Sequence, residues 1–134
     1  MAEGFLRALA AGTFQPISAA TESKEVDPLA IEVMSEVGID ISTQRPRDVP
    51  SLFRETFRYA VAIGDEPRER CPVYPFTWSL LKWSIPNPEA APGRLETRRQ
   101  IFRQVRDQIR TRVQELIEMT NRPVRFPRGS HAAA

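Results

Sequence analysis

The sequence contains a single cysteine, Cys71, and its thiol is the strongest candidate for nucleophilic or redox chemistry. Arg68 and Arg70 lie close before it, and positive charge near a thiol favours the reactive thiolate. One cysteine forms neither an intramolecular disulfide nor a structural zinc site. Cys71 is therefore either a redox thiol that exchanges with a cysteine from outside this chain, or an inert residue on a loop.

The remaining candidate side chains have ordinary structural explanations. Asn87 lies between two prolines, where asparagine is a common turn residue. The lone His131 has no companion ligand near it in the sequence, so it does not indicate a metal site. The aromatic residues near the last predicted strand either form a recognition surface or pack in the core, and we expect packing because of the apolar area they bring. These residues are Tyr74, Phe76, Trp78 and Trp83.

Two predicted strands flank the segment that contains Cys71. Residues 57–63 (FRYAVAI) form a β-rich run that ends at Gly64, and residues 80–85 (LLKWSI) form a second, shorter run. Between them, proline residues and a charged cluster indicate an irregular loop with a functional role or mobility. We therefore expect Cys71 on a loop that follows a buried strand.

Three helices are predicted from apolar spacing. A short amphipathic helix is predicted over residues 2–11. Asp27 followed by proline marks the clearest helix start, and Gly38 ends that helix. Over residues 94–120, apolar residues recur at three- and four-residue spacing with arginines on the other side, which predicts a long amphipathic helix packed on a sheet.

Two shorter elements complete the pattern. Residues 14–19 (FQPISA) are predicted as a strand, which its proline restricts to the edge of a sheet. Residues 48–54 are predicted as a short helix. Strands that alternate with helices predict an α/β architecture with a mainly parallel sheet.

Length and composition limit the organisation of the chain. With 134 residues, 41% of them hydrophobic, it is large enough for one core and too short for two, so we expect a single domain over residues 1–120. Residues 121–134 lack periodicity and are expected to be a flexible or artificial tail. No stretch approaches the roughly 18 apolar residues of a membrane span, and no secretory leader is evident, so we expect a cytoplasmic protein.

The charge is distributed unevenly along the chain. Residues 1–65 carry six Lys or Arg against ten Asp or Glu, whereas residues 66–134 carry thirteen against seven. A basic half can indicate a nucleic-acid surface, but most of its arginines fall on the long predicted helix, where a solvated basic face is common. We expect no nucleic-acid partner and no membrane partner.

Several segments in order resemble the thioredoxin-coupled arsenate reductases of the low-molecular-weight protein tyrosine phosphatase superfamily. The most specific part is a proline-led helix that ends EVGIDIS, followed by a strand, a loop with Cys-Pro-Val-Tyr-Pro, and a tryptophan shortly before Pro-Asn-Pro. Together they cover the chain to about residue 118. The four segments are MAEG, SAATE, DPLAIEVMSEVGIDIS and the run from FRYAVAIGDEPRERCPVYP to KWSIPNPEAA.

The resemblance implies a three-layer α/β fold of the phosphotyrosine phosphatase I type, with helices on both faces of a mainly parallel sheet. It implies reduction of arsenate to arsenite through a cysteine relay. In the family, a first strand leads into a Cys-x5-Arg loop that binds the oxyanion, and we expect this sequence to begin just after that loop, without the first strand. The family's general acid matches Asn87, and its two relay cysteines match Gly64 and Cys71.

These departures lead us to expect that the chain as given lacks catalytic competence. An amide does not release a proton near neutral pH, and a thiol relay needs a partner sulfur at each step. Three hypotheses stay open: a sequence that lacks part of an active enzyme, a non-catalytic interaction or anion-sensing relative, and a phosphatase-like hydrolase. The Cys-Pro-Val-Tyr-Pro segment resembles that of the reductases, so the hydrolase is the least favoured of the three hypotheses.

The partners implied by the resemblance are arsenate or phosphate and thioredoxin, with no organic cofactor and no metal. The missing first strand lies at the centre of the sheet in the family. Its absence would leave unpaired N–H and C=O groups on the strands that flank it. We therefore expect self-association through exposed sheet edges.

Overall fold

The secondary structure alternates helices with short parallel strands. The structure is a computed structural model that describes residues 1–20, 25–52, 55–64 and 77–121. The helices and strands are α1 (Ala2–Leu9), β1 (Ala19–Ala20), α2 (Pro28–Ser35), β2 (Arg47–Asp48), β3 (Phe57–Gly64), β4 (Thr77–Ser84) and α3 (Leu95–Asn121), with 3-10 helices at Val49–Leu52 and Pro88–Ala90.

The strands form two parallel pairs. β3 pairs with β4 over their whole lengths, with Val61 opposite Leu81 and Gly64 opposite Ser84. β1 pairs with β2 over two residues in a separate sheet. Parallel neighbours need a crossover between them, as helices provide in α/β proteins. The predicted α/β class with parallel strands is confirmed.

The core lies between the helices and one face of the β3–β4 pair. The apolar stripe of α3 contacts both α1 and α2, and Trp83 and Ile85 join it from β4 and the residue after it. Tyr59 and Val61 pack against the same cluster. The most completely buried side chains come from all three helices and the segments between them: Phe5, Val33, Met34, Ile41, Ile85, Phe102 and Val113.

Both ends of α2 are as the sequence predicts. The Oδ1 atom of Asp27 accepts a hydrogen bond from the Leu29 N–H at 2.8 Å, which satisfies one free donor of the first turn. At the other end, Gly38 has φ of +80°, and the Ile39 N–H donates to the Met34 carbonyl at 3.0 Å. Glycine adopts this left-handed conformation without steric cost, so the chain turns sharply here.

The predicted edge strand over residues 14–19 is wrong except at its last residue, since β1 comprises only Ala19 and Ala20. The chain before β1 binds side chains of α1 instead. Arg7 donates to the Pro16 carbonyl at 3.1 Å, and the Ser18 N–H donates to Glu3 at 2.9 Å. Because proline has no N–H, Pro16 cannot donate to a strand ladder.

The short helix predicted over residues 48–54 is present as a 3-10 helix at Val49–Leu52, and residues 53 and 54 lie outside the described part. Asp48 belongs to β2, and a single 3-10 turn at Val49–Leu52 follows it. The Asp48 carboxylate accepts from the Ser51 N–H at 3.2 Å, and the Ser51 hydroxyl donates to the Asp48 carbonyl at 2.7 Å. These local bonds favour a turn over a continued helix.

The longer predicted elements differ from the structure only at their ends. The predicted strand over 57–63 is β3, and the long predicted helix is α3. The strand predicted over 80–85 is β4, which begins at Thr77 and ends at Ser84. The single-domain boundary near residue 120 stays a prediction, because residues 122–134 lie outside the described part.

Candidate functional site

The candidate site lies at the carboxyl edge of the β3–β4 pair. The strands are parallel and end together, with Gly64 opposite Ser84. The Ile85 N–H donates to the Gly64 carbonyl at 3.1 Å, so the pairing continues one residue beyond β4. In open α/β sheets, ligands bind in the crevice outside the carboxyl ends of the strands. The segments that follow Gly64 and Ile85 both start at this edge.

The segment after β4 is anchored by buried side chains. Trp83 is 7% exposed and Ile85 only 2% exposed, and both belong to the core. The core thus fixes the point from which residues 86–88 leave the sheet. The prediction that Trp83 packs in the core is confirmed, whereas Tyr74, Phe76 and the side chain of Trp78 lie outside the described part.

Asn87 lies three residues beyond β4 and is exposed. Its backbone is extended, with φ of −77° and ψ of 109°, and it forms the N-cap of the 3-10 helix Pro88–Ala90. Its Oδ1 atom accepts a hydrogen bond from the Glu89 N–H at 3.1 Å. The amide therefore has a local structural task at the edge of the sheet, and no proton that it can release near neutral pH.

Cys71 lies outside the described residues, as do Arg68, Arg70 and His131. The predicted role of Cys71 as a redox thiol stays a prediction. The assignment of Asn87 as a site residue also stays a prediction. Its position near the strand ends is expected of a site residue and equally of a turn residue.

Gly64 occupies the last position of β3, immediately before the segment that contains Cys71. Among the described residues, no atom lies within 4 Å of a Cβ placed on Gly64, and its φ is not in the left-handed region. A larger side chain therefore fits here without strain.

Arginines of α3 bind acidic side chains of α2. Arg103 donates to Glu36 with Nε at 2.9 Å from Oε1 and Nη2 at 2.7 Å from Oε2. Arg106 donates through Nη1 to Glu36 Oε1 and to the Val33 carbonyl, each at 2.9 Å. Arg99 binds Glu32 at 3.1 Å and also Glu96. Three arginines of this basic helix, Arg99, Arg103 and Arg106, are thus paired with two glutamates.

These ion pairs shift the pKa of the groups involved. Hydrogen bonds from Arg103, and less strongly from Arg106, hold the pKa of Glu36 at about 2, below its ordinary value of 4.5. The bond to Glu36 raises the pKa of Arg103. Sequence reasoning missed this network, although a signal was present. Glu32 on α2 and Glu36, the residue that caps its end, are one turn apart, as are Arg99 and Arg103 on α3.

Other kinds of site find no support in the described ranges. Residues 1–20, 25–52, 55–64 and 77–121 contain no group of three or more His, Cys, Asp or Glu side chains that could hold a metal ion. Among the helices of this part of the chain, none is both long and apolar enough to cross a membrane.

Comparison with known proteins decides the family. A scan against models of protein families finds no match. The arsenate reductase of Shouchella clausii (strain KSM-K16) is 30% identical over 118 residues, which covers 88% of this chain and 85% of that protein. The glutaredoxin arsenate reductase of Synechocystis sp. is 32% identical over 117 residues, with 87% and 85% covered. This chain belongs to the arsenate reductase family.

A solved structure supports the same assignment to the arsenate reductases. An arsenate reductase in the phosphate binding state superimposes with a TM-score of 0.74 and 30% identity, covering 88% of this chain and 86% of that one. The resemblance drawn from the sequence segments is therefore confirmed, and so is the α/β fold expected from it. That the family's general-acid and relay positions fall on Asn87 and on Gly64 with Cys71 stays a prediction from the sequence.

Proposed function

We propose that this chain has an arsenate-reductase-like function, with Cys71 as its redox thiol and a tetrahedral oxyanion as its ligand. The observation that carries the proposal is the likeness to an arsenate reductase in the phosphate binding state, at 30% identity over 88% of the chain. Phosphate and arsenate are tetrahedral oxyanions that accept hydrogen bonds from the same kind of donor nest. Arsenate and phosphate are thus the proposed ligands of this chain.

The electron balance defines what the chain needs from a partner. Reduction of arsenate to arsenite takes two electrons, which two thiols supply as they become one disulfide, and one arsenate oxygen leaves as water. The 134 residues contain one thiol, Cys71. The second thiol must come from outside these residues, through attack of a thiolate on sulfur.

A thioredoxin or glutaredoxin is the reductant that we propose. Thioredoxin follows from the family resemblance, and the Synechocystis relative is named a glutaredoxin arsenate reductase. Both proteins present a reactive thiolate that forms a mixed disulfide during exchange. The proposed compartment is the cytoplasm, where such reductants keep Cys71 reduced.

We further propose that the 134-residue chain alone does not turn over arsenate. By the family resemblance, Asn87 stands at the position of the general acid, and its Oδ1 atom caps a 3-10 helix. An amide cannot protonate a leaving oxygen near neutral pH. With one thiol and no acid at this position, the chain provides only part of the chemistry.

A non-catalytic, anion-sensing role is the second candidate. The favouring observation is that Asn87 accepts a hydrogen bond from the Glu89 N–H, as a carboxylate could, while lacking the acidity of a carboxyl group. This candidate predicts phosphate binding by the chain without any exchange at Cys71.

Trapping of a mixed disulfide tests the proposed thiol chemistry. A thioredoxin whose second active-site cysteine is replaced by serine cannot resolve the intermediate, so a disulfide with Cys71 accumulates once Cys71 has been activated with an aromatic disulfide reagent. Intact mass spectrometry should show the conjugate for the native chain and not for Cys71→Ser. Equal absence in both proteins would contradict the redox role, and phosphate binding by calorimetry would then favour the anion-sensing alternative.

A further inference from the structure

We draw no further inference here: the strongest candidate, the face of the β3–β4 pair that carries Ala60, Ala62 and the exposed Leu80, carries no proposal because nothing in residues 1–20, 25–52, 55–64 and 77–121 shows what covers it.

Discussion

The guanidinium of Arg103 binds both carboxylate oxygens of Glu36, at 2.9 Å and 2.7 Å, and so joins the middle of α3 to the end of α2. Arg106 reaches the same carboxylate and the Val33 carbonyl. A bidentate guanidinium–carboxylate pair is geometrically specific and stronger than a single hydrogen bond between neutral groups. The two helices also bury Val33 and Phe102 in one core, so the pairing fixes how they sit against each other.

Replacing Glu36 with glutamine should lower thermal stability, because Arg103 and Arg106 then lose their common anion. The loss should be smaller than that of a core truncation, since the pair is partly exposed and water screens it. Thermal unfolding at low and high salt is the measurement, and the deficit should shrink at high salt. Glu118→Gln is the matched control, as Glu118 forms no ion pair within the described part of the chain.

The Glu36 carboxylate should also make the stability of the fold depend on pH in the acid range. Binding to arginine lowers the pKa of Glu36 to about 2 in the folded chain, from 4.5. As the pH falls, the unfolded state therefore takes up this proton before the folded state does. The stabilisation by the Glu36 ion pairs is fully present above about pH 4.5 and is lost as the pH falls toward 2. Urea unfolding at pH 7 and pH 3 should show a smaller drop in stability for Glu36→Gln than for the native chain. An equal drop would contradict the assignment.

Truncation of Phe102 should lower stability more than the substitutions of Glu36 and Asn87. This side chain is 1% exposed and lies in the main cluster. Phe→Ala in a core costs about 3–5 kcal/mol through lost transfer energy and the cavity left behind. Leu95→Ala on the same helix should cost about 0.5 kcal/mol or less, because Leu95 is 56% exposed. Similar urea midpoints for the two variants would show that Phe102 is not part of the core.

Two substitutions of Asn87 test whether its side chain caps the 3-10 helix. Asn87→Asp keeps an oxygen that can accept from the Glu89 N–H, so its melting temperature should stay close to that of the native chain. Asn87→Ala removes this acceptor and should cost about 0.5–1 kcal/mol, near the lower part of the range for N-caps. If the alanine and aspartate variants melt together, the side chain does not cap the 3-10 helix.

Gly64 is the position at which a second thiol can be introduced. A Cβ atom there meets nothing within 4 Å in the described part of the chain, so Gly64→Cys should fold as the native chain does. By the family resemblance, the new thiol should form a disulfide with Cys71 on oxidation. The measurement is the loss of both free thiols with a mass decrease of about 2 Da, since two thiol hydrogens leave when one disulfide forms. Gly64→Ser is the control, and two thiols that stay free would contradict the relay assignment.

The concentration dependence of the molecular mass tests the predicted self-association. Among the described residues, β3 and β4 form an isolated two-stranded sheet, and unpaired strand edges favour pairing with another chain. Light scattering should therefore give a mass above the 15.2 kDa of one chain as the concentration rises. A constant monomer mass with cooperative unfolding would rule out this account of the sheet edges.

Elements with strong local signals were predictable from the sequence, and elements decided by tertiary contacts were not. The Asp27 cap, Gly38 and the apolar period of α3 are local, and the structure agrees with each. The 14–19 prediction failed because Glu3 and Arg7 bind that segment from α1. No pattern within residues 14–19 encodes those contacts.

The candidate site was predictable in part. The strand that ends at Gly64 and the turn at Asn87 could be placed from β-rich runs and prolines, and the structure brings both to one sheet edge. The ion pairs between Glu36 and α3 could not be placed, because their partners lie 67 or more residues apart and depend on how two helices pack.

Arsenate turnover by the 134-residue chain is the most direct test of the account. The assay follows arsenate-dependent oxidation of NADPH with thioredoxin and thioredoxin reductase, and in parallel with glutaredoxin and glutathione, using the Shouchella clausii arsenate reductase as positive control. We expect no rate above that of Cys71→Ser, because Asn87 cannot protonate the leaving oxygen even when the reductant supplies the second thiol. A rate that depends on arsenate and on Cys71 would contradict it and show that the chain is a complete reductase.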